Sequence, residues 1–281
     1  MDRKLLISAV RVSRAIGSGP LDEAAYLALW QSHVTPIEDP FMRSVVGGIF
    51  ADRLAWVFVA GYQLAVRSVF SVESDRWVAY VASEDRSGTL PAVSVMHVAG
   101  ETQLTGWKTW VAAVDHVGEL VVRTNGAQAE HYLVSRESTG LTLSAKADVS
   151  FLGDLSQGSA EFSGVVVQRQ LQVIDEVPFN LREALAIYGA LCGLVLAQPM
   201  LEASSESCLE LLDIAAGLWA TSLCEPNDIQ QLKSFDQNLQ GFIASVEDDL
   251  AATIPDWDRD RRLVSMYSPG IARYSQAGVQ P

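Results

Sequence analysis

The side chains able to do chemistry are few and scattered along these 281 residues. His33, His97, His116 and His131 show no ligand spacing such as His-x-x-x-His, so the sequence predicts no metal centre. Cys192, Cys208 and Cys224 stand sixteen residues apart and form no CxxC pair. That interval sets them on separate helices or helix ends. They read as free, packed thiols of a reducing compartment rather than as nucleophiles or metal ligands. Asp52-Arg53 interrupts an apolar stretch and reads as an ion pair, with a substrate role as the alternative. Trp257-Asp-Arg-Asp-Arg-Arg262 reads as a solvated helix start with alternating charge, its alternative being a docking surface. Glu183 follows Asn180 by three residues, the spacing of a capping box at a helix N-terminus. A carboxylate there is favoured by the helix dipole.

Three stretches of different period must position these groups. Leu5, Leu6, Ala9, Val10 and Ile16 recur at helical spacing until Gly17-Ser18-Gly19-Pro20. A second helix is predicted over 21–34, broken by Pro36 and Pro40, and one long helix over 41–70, apolar nearly all round and hence buried on both sides. From Trp77 the pattern changes to short β-branched runs: 77–81, 92–97, 108–111, 119–123, 131–134, 141–143, 147–151 and 164–168. Ala99-Gly100, Asn125-Gly126 and Gly153-Asp154 are turn signals between them. Strands at this spacing predict an antiparallel barrel or sandwich. Helical period returns near Phe179, with Cys208 to Trp219 and Ile229 to Leu250 as further helices and a last one from Trp257. The fold class is α+β, and the predicted domains are 1–75, 76–175 and 176–281.

Composition narrows the partners. Lys plus Arg number 20 and Asp plus Glu 34, a net charge of −14. Such a chain is a poor partner for nucleic acid or for an anionic membrane surface. Apolar residues make up 49% and charged ones 19%, below the roughly 25% of typical domains. The surplus predicts a large core and a homodimer or larger assembly. No secretory signal opens the sequence, which predicts a cytoplasmic location. The longest uncharged apolar run, Ala184 to Ala197, is shorter than the about 20 residues of a membrane span and reads as a core helix.

One stretch is more specific. Gly100-Glu-Thr-Gln-Leu104-Thr-Gly106-Trp-Lys108-Thr-Trp110-Val111, followed by Asp115-His116 and Leu120-Val-Val122, resembles the middle-domain signature of the acyl-CoA dehydrogenase family. That signature reads Gly-x-x-Leu-x-Gly-x-Lys-x-Trp-Val/Ile. Tyr80-Val-Ala-Ser83-Glu84 resembles the family's strand ending in Thr-Glu. The resemblance covers Ala51 to about Leu196 and implies a divergent, shortened member: N-terminal helices, a middle antiparallel β-barrel and a shortened C-terminal helical bundle.

It also implies a function. The family holds FAD across the β domain and oxidises a CH–CH bond of an acyl thioester, a glutamate removing the α-proton while a hydride goes to the flavin. By motif position Trp110 would flank the flavin ring and Ser83 would meet its edge. Thr89, with Gly88, echoes the family's Gly-Ser, and Ala112 stands where a flavin-bonding Ser/Thr is usual. The expected Arg-x-x-Phe-Gly is replaced by Gln198-Pro-Met-Leu-Glu202, and the Tyr-Glu-Gly base motif by Met266-Tyr267-Ser268-Pro269-Gly270. Some members carry the base at the start of the first C-terminal helix. Aligning Gly189 with the family's helix glycine puts Arg182 on that position, with Glu183 beside it as the candidate base. The expected ligands are FAD and an acyl-CoA or related thioester, with a complementary family subunit as a possible partner. The alternative function is a non-catalytic scaffold or acyl-binding subunit that has lost the base and the pyrophosphate contacts.

Overall fold

The computed structural model describes residues 1–17, 21–125, 129–173 and 178–277. Ser18-Gly19-Pro20, read above as the end of the first helical run, and Gly126, read as part of a turn signal, lie outside them. The chain forms two compact units, Met1–Ala65 with Asp175–Pro281, and Val66–Ile174.

In the helical unit, α1 (Arg3–Ile16), α2 (Glu23–Leu29) and α3 (Pro40–Ile49) each begin at an aspartate. Asp2, Asp22 and Asp39 accept backbone N–H groups of the first turn, which is where part of the acidic composition goes. A π-helical turn, Trp30–Val34, extends α2 over the rest of the expected segment. The long helix expected over 41–70 is two helices, α3 and α4 (Leu54–Phe70). The break falls at Asp52-Arg53. Asp52 accepts the Leu21 N–H at 2.9 Å and binds the Arg53 guanidinium at 3.0 Å, so its carboxylate serves another segment instead of facing a continuous helix.

The C-terminal part of this unit runs α5 (Phe179–Ala197), α6 (Ser205–Trp219), α7 (Pro226–Ser245), α8 (Glu247–Thr253), α9 (Trp257–Asp260), α10 (Arg262–Ser265) and α11 (Ser268–Ala277). The single last helix expected from Trp257 is therefore three short ones. α5, with 19 residues, is long and apolar enough to cross a membrane, yet nearly all of it is core. It lies backbone-close to α3. A Cβ on Gly48 would run into the Ala190 carbonyl, and one on Gly193 into that of Val45. Ser44 Oγ donates to Ala186 O at 2.6 Å across the same seam.

Among the described residues the β unit holds eight strands: β1 (Val78–Val81), β2 (Ser94–Val98), β3 (Glu101–Ala112), β4 (Glu119–Arg123), β5 (His131–Ser135), β6 (Leu141–Ala145), β7 (Gln157–Val166) and β8 (Arg169–Leu171). They form two open four-stranded sheets, ordered β1-β4-β5-β8 and β2-β3-β7-β6, in place of the expected barrel. The pairing is antiparallel except between β1 and β4, which run parallel. One core serves both sheets, drawing Val81, Leu120, Val122 and Val134 from the first and Leu104, Val111, Phe162 and Val165 from the second. The strand expected over 147–151 is absent; those residues bend before β7 begins at Gln157. β2 and β3 are joined through Ala99 (φ 53°) and Gly100 (φ 88°), the tight hairpin turn that the pair signals.

Candidate functional site

Trp110 sits where β3 is irregular. Lys108 pairs with Ala160 and Val111 with Gly158, so three steps along β3 match two along β7. Such a bulge re-aims the side chains it carries. The half-buried Trp110 indole donates through Nε1 to Gln157 Oε1 at 3.0 Å. Gln157 is itself held, its amide donating to Phe151 O at 2.7 Å and Leu152 O at 3.3 Å. The ring plane is thus fixed from a loop distant in sequence.

The segment after β1 runs beside this part of β3. Ser83 O accepts the Thr109 N–H at 2.9 Å and Pro91 O accepts that of Trp107 at 2.9 Å. Lys108, whose side chain is fully buried, clamps the two together by donating to Glu84 Oε1 at 2.8 Å and Ala82 O at 3.4 Å. Desolvation lowers its pKa, while Glu84 favours the charged form. The motif lysine therefore positions Ser83 against the strand of Trp110, and the Ser83 side chain remains exposed.

Thr89 is exposed further along the same loop, its hydroxyl oxygen 2.8 Å from Ser87 Oγ. Asp85 organises that turn, accepting the N–H groups of Ser87, Thr89 and Leu90 and the Ser87 hydroxyl. The Ser87 hydroxyl first, then the Leu90 and Ser87 amides, hold its pKa down at about 2. Ala112 is buried, pairs with Gln157 in the ladder and offers no polar side-chain atom. Ser83 and Trp110 are thus brought together, Ala112 follows on the same strand, and Thr89 caps the turn.

Glu183 belongs to the helical unit. It is not a capping-box residue, because α5 starts at Phe179 after Pro178 and Asn180 lies inside the helix. Its neighbour Arg182 is buried and structural: it donates to Trp219 O at 3.0 Å and Thr221 O at 2.8 Å and lies over the Trp219 ring. Glu183 lies near Tyr267 in the same unit, close enough for their charges to interact. Burial pushes its pKa up to about 7, with Tyr267 acting in the opposite sense by favouring the carboxylate. Tyr267 is itself raised well above the ordinary tyrosine value by burial and by the Glu183 charge.

Sequence reasoning named Lys108, Glu84 and Tyr267 within motifs but missed Gln157 and the Lys108–Glu84 pairing. Only the motif spacing around Lys108 carried any signal of them. It also missed His131, buried against Phe70 and Tyr80 and held down to about 4 by desolvation, then by Arg123 and Lys108. Among the described residues no group of three or more His, Cys, Asp or Glu side chains is placed to hold a metal ion. All three cysteines are free thiols; Cys192 and Cys208 are buried.

No family model matches the sequence, and no curated protein does. Solved structures match the fold along nearly all of it. An FAD-dependent dehydrogenase aligns with 97% of this chain and 93% of its own, at 12% identity and a TM-score of 0.63. Butyryl-CoA dehydrogenase from Megasphaera elsdenii aligns over 98% and 94%, at 9% identity and a TM-score of 0.63. KijD3, solved in complex with FMN and a dTDP-amino-keto-sugar, aligns over 99% and 89%, at 13% identity and a TM-score of 0.58. The chain has an acyl-CoA dehydrogenase-like fold.

Proposed function

We propose that the chain is a flavin-dependent oxidoreductase of the acyl-CoA dehydrogenase type, using FAD to oxidise a CH–CH bond of an acyl thioester. The observation that carries this reading is the fold likeness to an FAD-dependent dehydrogenase along 97% of the chain. The residues fit a flavin. Trp110 presents a ring whose one polar atom is already satisfied by Gln157, so a planar apolar ring packs on it without stranding a donor. The exposed Ser83 hydroxyl, held beside that strand, suits a polar ring edge.

When bound, FAD supplies the acceptor for the hydride leaving the substrate's β-carbon. Glu183 takes the α-proton. A base with a pKa near 7 is half ionised at neutral pH, the condition under which it both removes a proton and later releases it. Burial that raises the carboxyl also excludes the water that would compete for it. Trp110 and Ser83 orient the ring system, and the Lys108–Glu84 clamp holds their two segments in register. The working form is a cytoplasmic homodimer or larger assembly, or one completed by a complementary subunit; Ile7, Val12, Ile16 and Ile214 leave apolar surface on the helical unit that supports it.

The decisive measurement is the visible spectrum of the pure protein. Flavin absorbance, or its appearance when FAD is added, is expected, and a colourless protein that takes up no FAD overturns the reading. With flavin bound, Glu183→Gln is expected to abolish acyl-CoA oxidation without bleaching the protein.

A further inference from the structure

The break between α3 and α4 borders a cavity that the reaction above does not use. It encloses about 540 Å³, within the range of about 300–1,000 Å³ that small-molecule sites occupy. Every residue lining it belongs to the helical unit. It lies at the C-terminal end of α5, about 20 Å along that helix from Glu183. The cavity is therefore separate from the proposed base.

Its walls are largely apolar, with Ile16, Leu21, Leu29, Phe50 and Ile254 among them. Two charges of opposite sign interrupt them. Arg14 is exposed, and its guanidinium pairs with no carboxylate among the described residues. Asp52 is half-buried and accepts three hydrogen bonds, one from the Leu21 N–H at 2.9 Å and two from Arg53 at 3.0 Å. A carboxylate has about four lone-pair sites, so one stays open to a further donor. The negative side is reinforced by the backbone. Ile16, Ile49 and Ala197, the last residues of α1, α3 and α5, all line the cavity. Each helix C-terminus carries about half a negative charge on its terminal carbonyls.

These charges sort the ligand classes. A simple anion meets Arg14 but also Asp52 and three negative helix ends. A simple cation meets those ends but leaves Arg14 unneutralised, with Arg53 behind Asp52. A zwitterion satisfies both poles, and an apolar body on it takes the remaining wall. We propose that this cavity binds an α-amino acid with an apolar side chain, its carboxylate on Arg14, its ammonium on Asp52 and the carbonyl ends of α1, α3 and α5, and its side chain among Ile16, Leu29 and Phe50. Both poles are then held by charge-assisted hydrogen bonds, roughly twice as strong as neutral ones. The site stands apart from the flavin chemistry and does not depend on it.

Equilibrium dialysis of radiolabelled L-leucine against the purified full chain tests this at neutral pH, with unlabelled leucine, isopentylamine and isovalerate as competitors. Isopentylamine keeps the apolar body and the ammonium; isovalerate keeps the body and the carboxylate. Leucine is expected to bind, and each competitor lacking one pole to bind about tenfold or more weakly, the loss of one hydrogen-bonded charge. Arg14→Gln, at an exposed position, is expected to weaken leucine by about tenfold while leaving isopentylamine unchanged. Asp52→Asn is expected to weaken leucine and isopentylamine alike. Because Asp52 also holds the Leu21 amide, that variant can fail to fold, and Arg14→Gln then carries the test alone. No bound leucine overturns the proposal. So does isopentylamine or isovalerate competing as well as leucine, which removes the need for a zwitterion. Leucine binding that Arg14→Gln leaves unchanged puts the ligand elsewhere and overturns it equally.

Discussion

At the scale of single residues, two side chains carry the proposed chemistry, and each is open to a direct test. Trp110 is the ring whose orientation Gln157 fixes. If it walls a flavin, Trp110→Ala weakens FAD binding by about tenfold or more, as expected when an aromatic stacking partner worth about 1–2 kcal/mol is lost, and shifts the flavin absorption bands. Equilibrium dialysis and the visible spectrum measure both, and an unchanged affinity removes Trp110 from the site. Glu183 binds its proton more tightly in the folded chain, at about 7, than an ordinary glutamate at 4.5. Between those values the folded state holds more protons than the unfolded one, so this residue's contribution to stability falls as pH rises through the window. Glu183→Gln is therefore expected to raise stability at pH 8 by up to roughly 3 kcal/mol while changing little at pH 4, read from urea denaturation at the two values.

At the scale of elements, the seam between α3 and α5 and the clamp beside β3 carry the geometry. Gly48→Ala gains about 1 kcal/mol in helix propensity. It also forces a methyl into the Ala190 carbonyl, which is backbone and cannot step aside. Overpacking prevails, and a net loss of about 2 kcal/mol or more is expected from the denaturation midpoint. Glu84→Gln leaves the buried Lys108 ammonium with a weaker partner, for a loss of about 2 kcal/mol and looser pairing of Ser83 with Thr109, visible as faster exchange of the Thr109 amide. Much of this layout was legible in the sequence. The α–β–α order follows from the change of period at Trp77 and again near Phe179. The Ala99-Gly100 turn and six of the eight strands fall where β-branched runs lie. β7 was read only at its far end because Gly158, Ser159, Glu161 and Ser163 give it no β-branched signature; neighbours β3 and β6 make it a strand. The break at Asp52 was hidden because its partner, the Leu21 amide, is remote in sequence. Tyr267 escaped for the same reason: nothing local to Met266-Tyr267-Ser268 says that its ring stands edge-on to Tyr188 of α5.

At the scale of the whole molecule, the two units carry titrating groups that work against each other. His131, in the β unit, is held down to about 4 from an ordinary 6.5. Between those values the unfolded chain binds more protons, so its contribution to stability rises with pH and is lost as pH falls through 6.5. Glu183, in the helical unit, has the opposite slope between 4.5 and about 7. Over the shared range, about pH 4.5–6.5, the two slopes oppose each other, each with a full swing on the order of 2–3 kcal/mol. If the units unfold together, stability is expected to be nearly flat there. Removing one group exposes the other: Glu183→Gln makes stability climb with pH over this range, and His131→Gln makes it fall. If the units unfold apart, scanning calorimetry shows two transitions that converge or separate as pH is changed, the β-unit transition losing temperature toward acid and the helical one toward neutral pH. Slopes of the same sign in both variants would mean that neither group is held in the folded chain as its surroundings require. A raised carboxyl in one unit and a neutral imidazole in the other then cease to be a description of this protein.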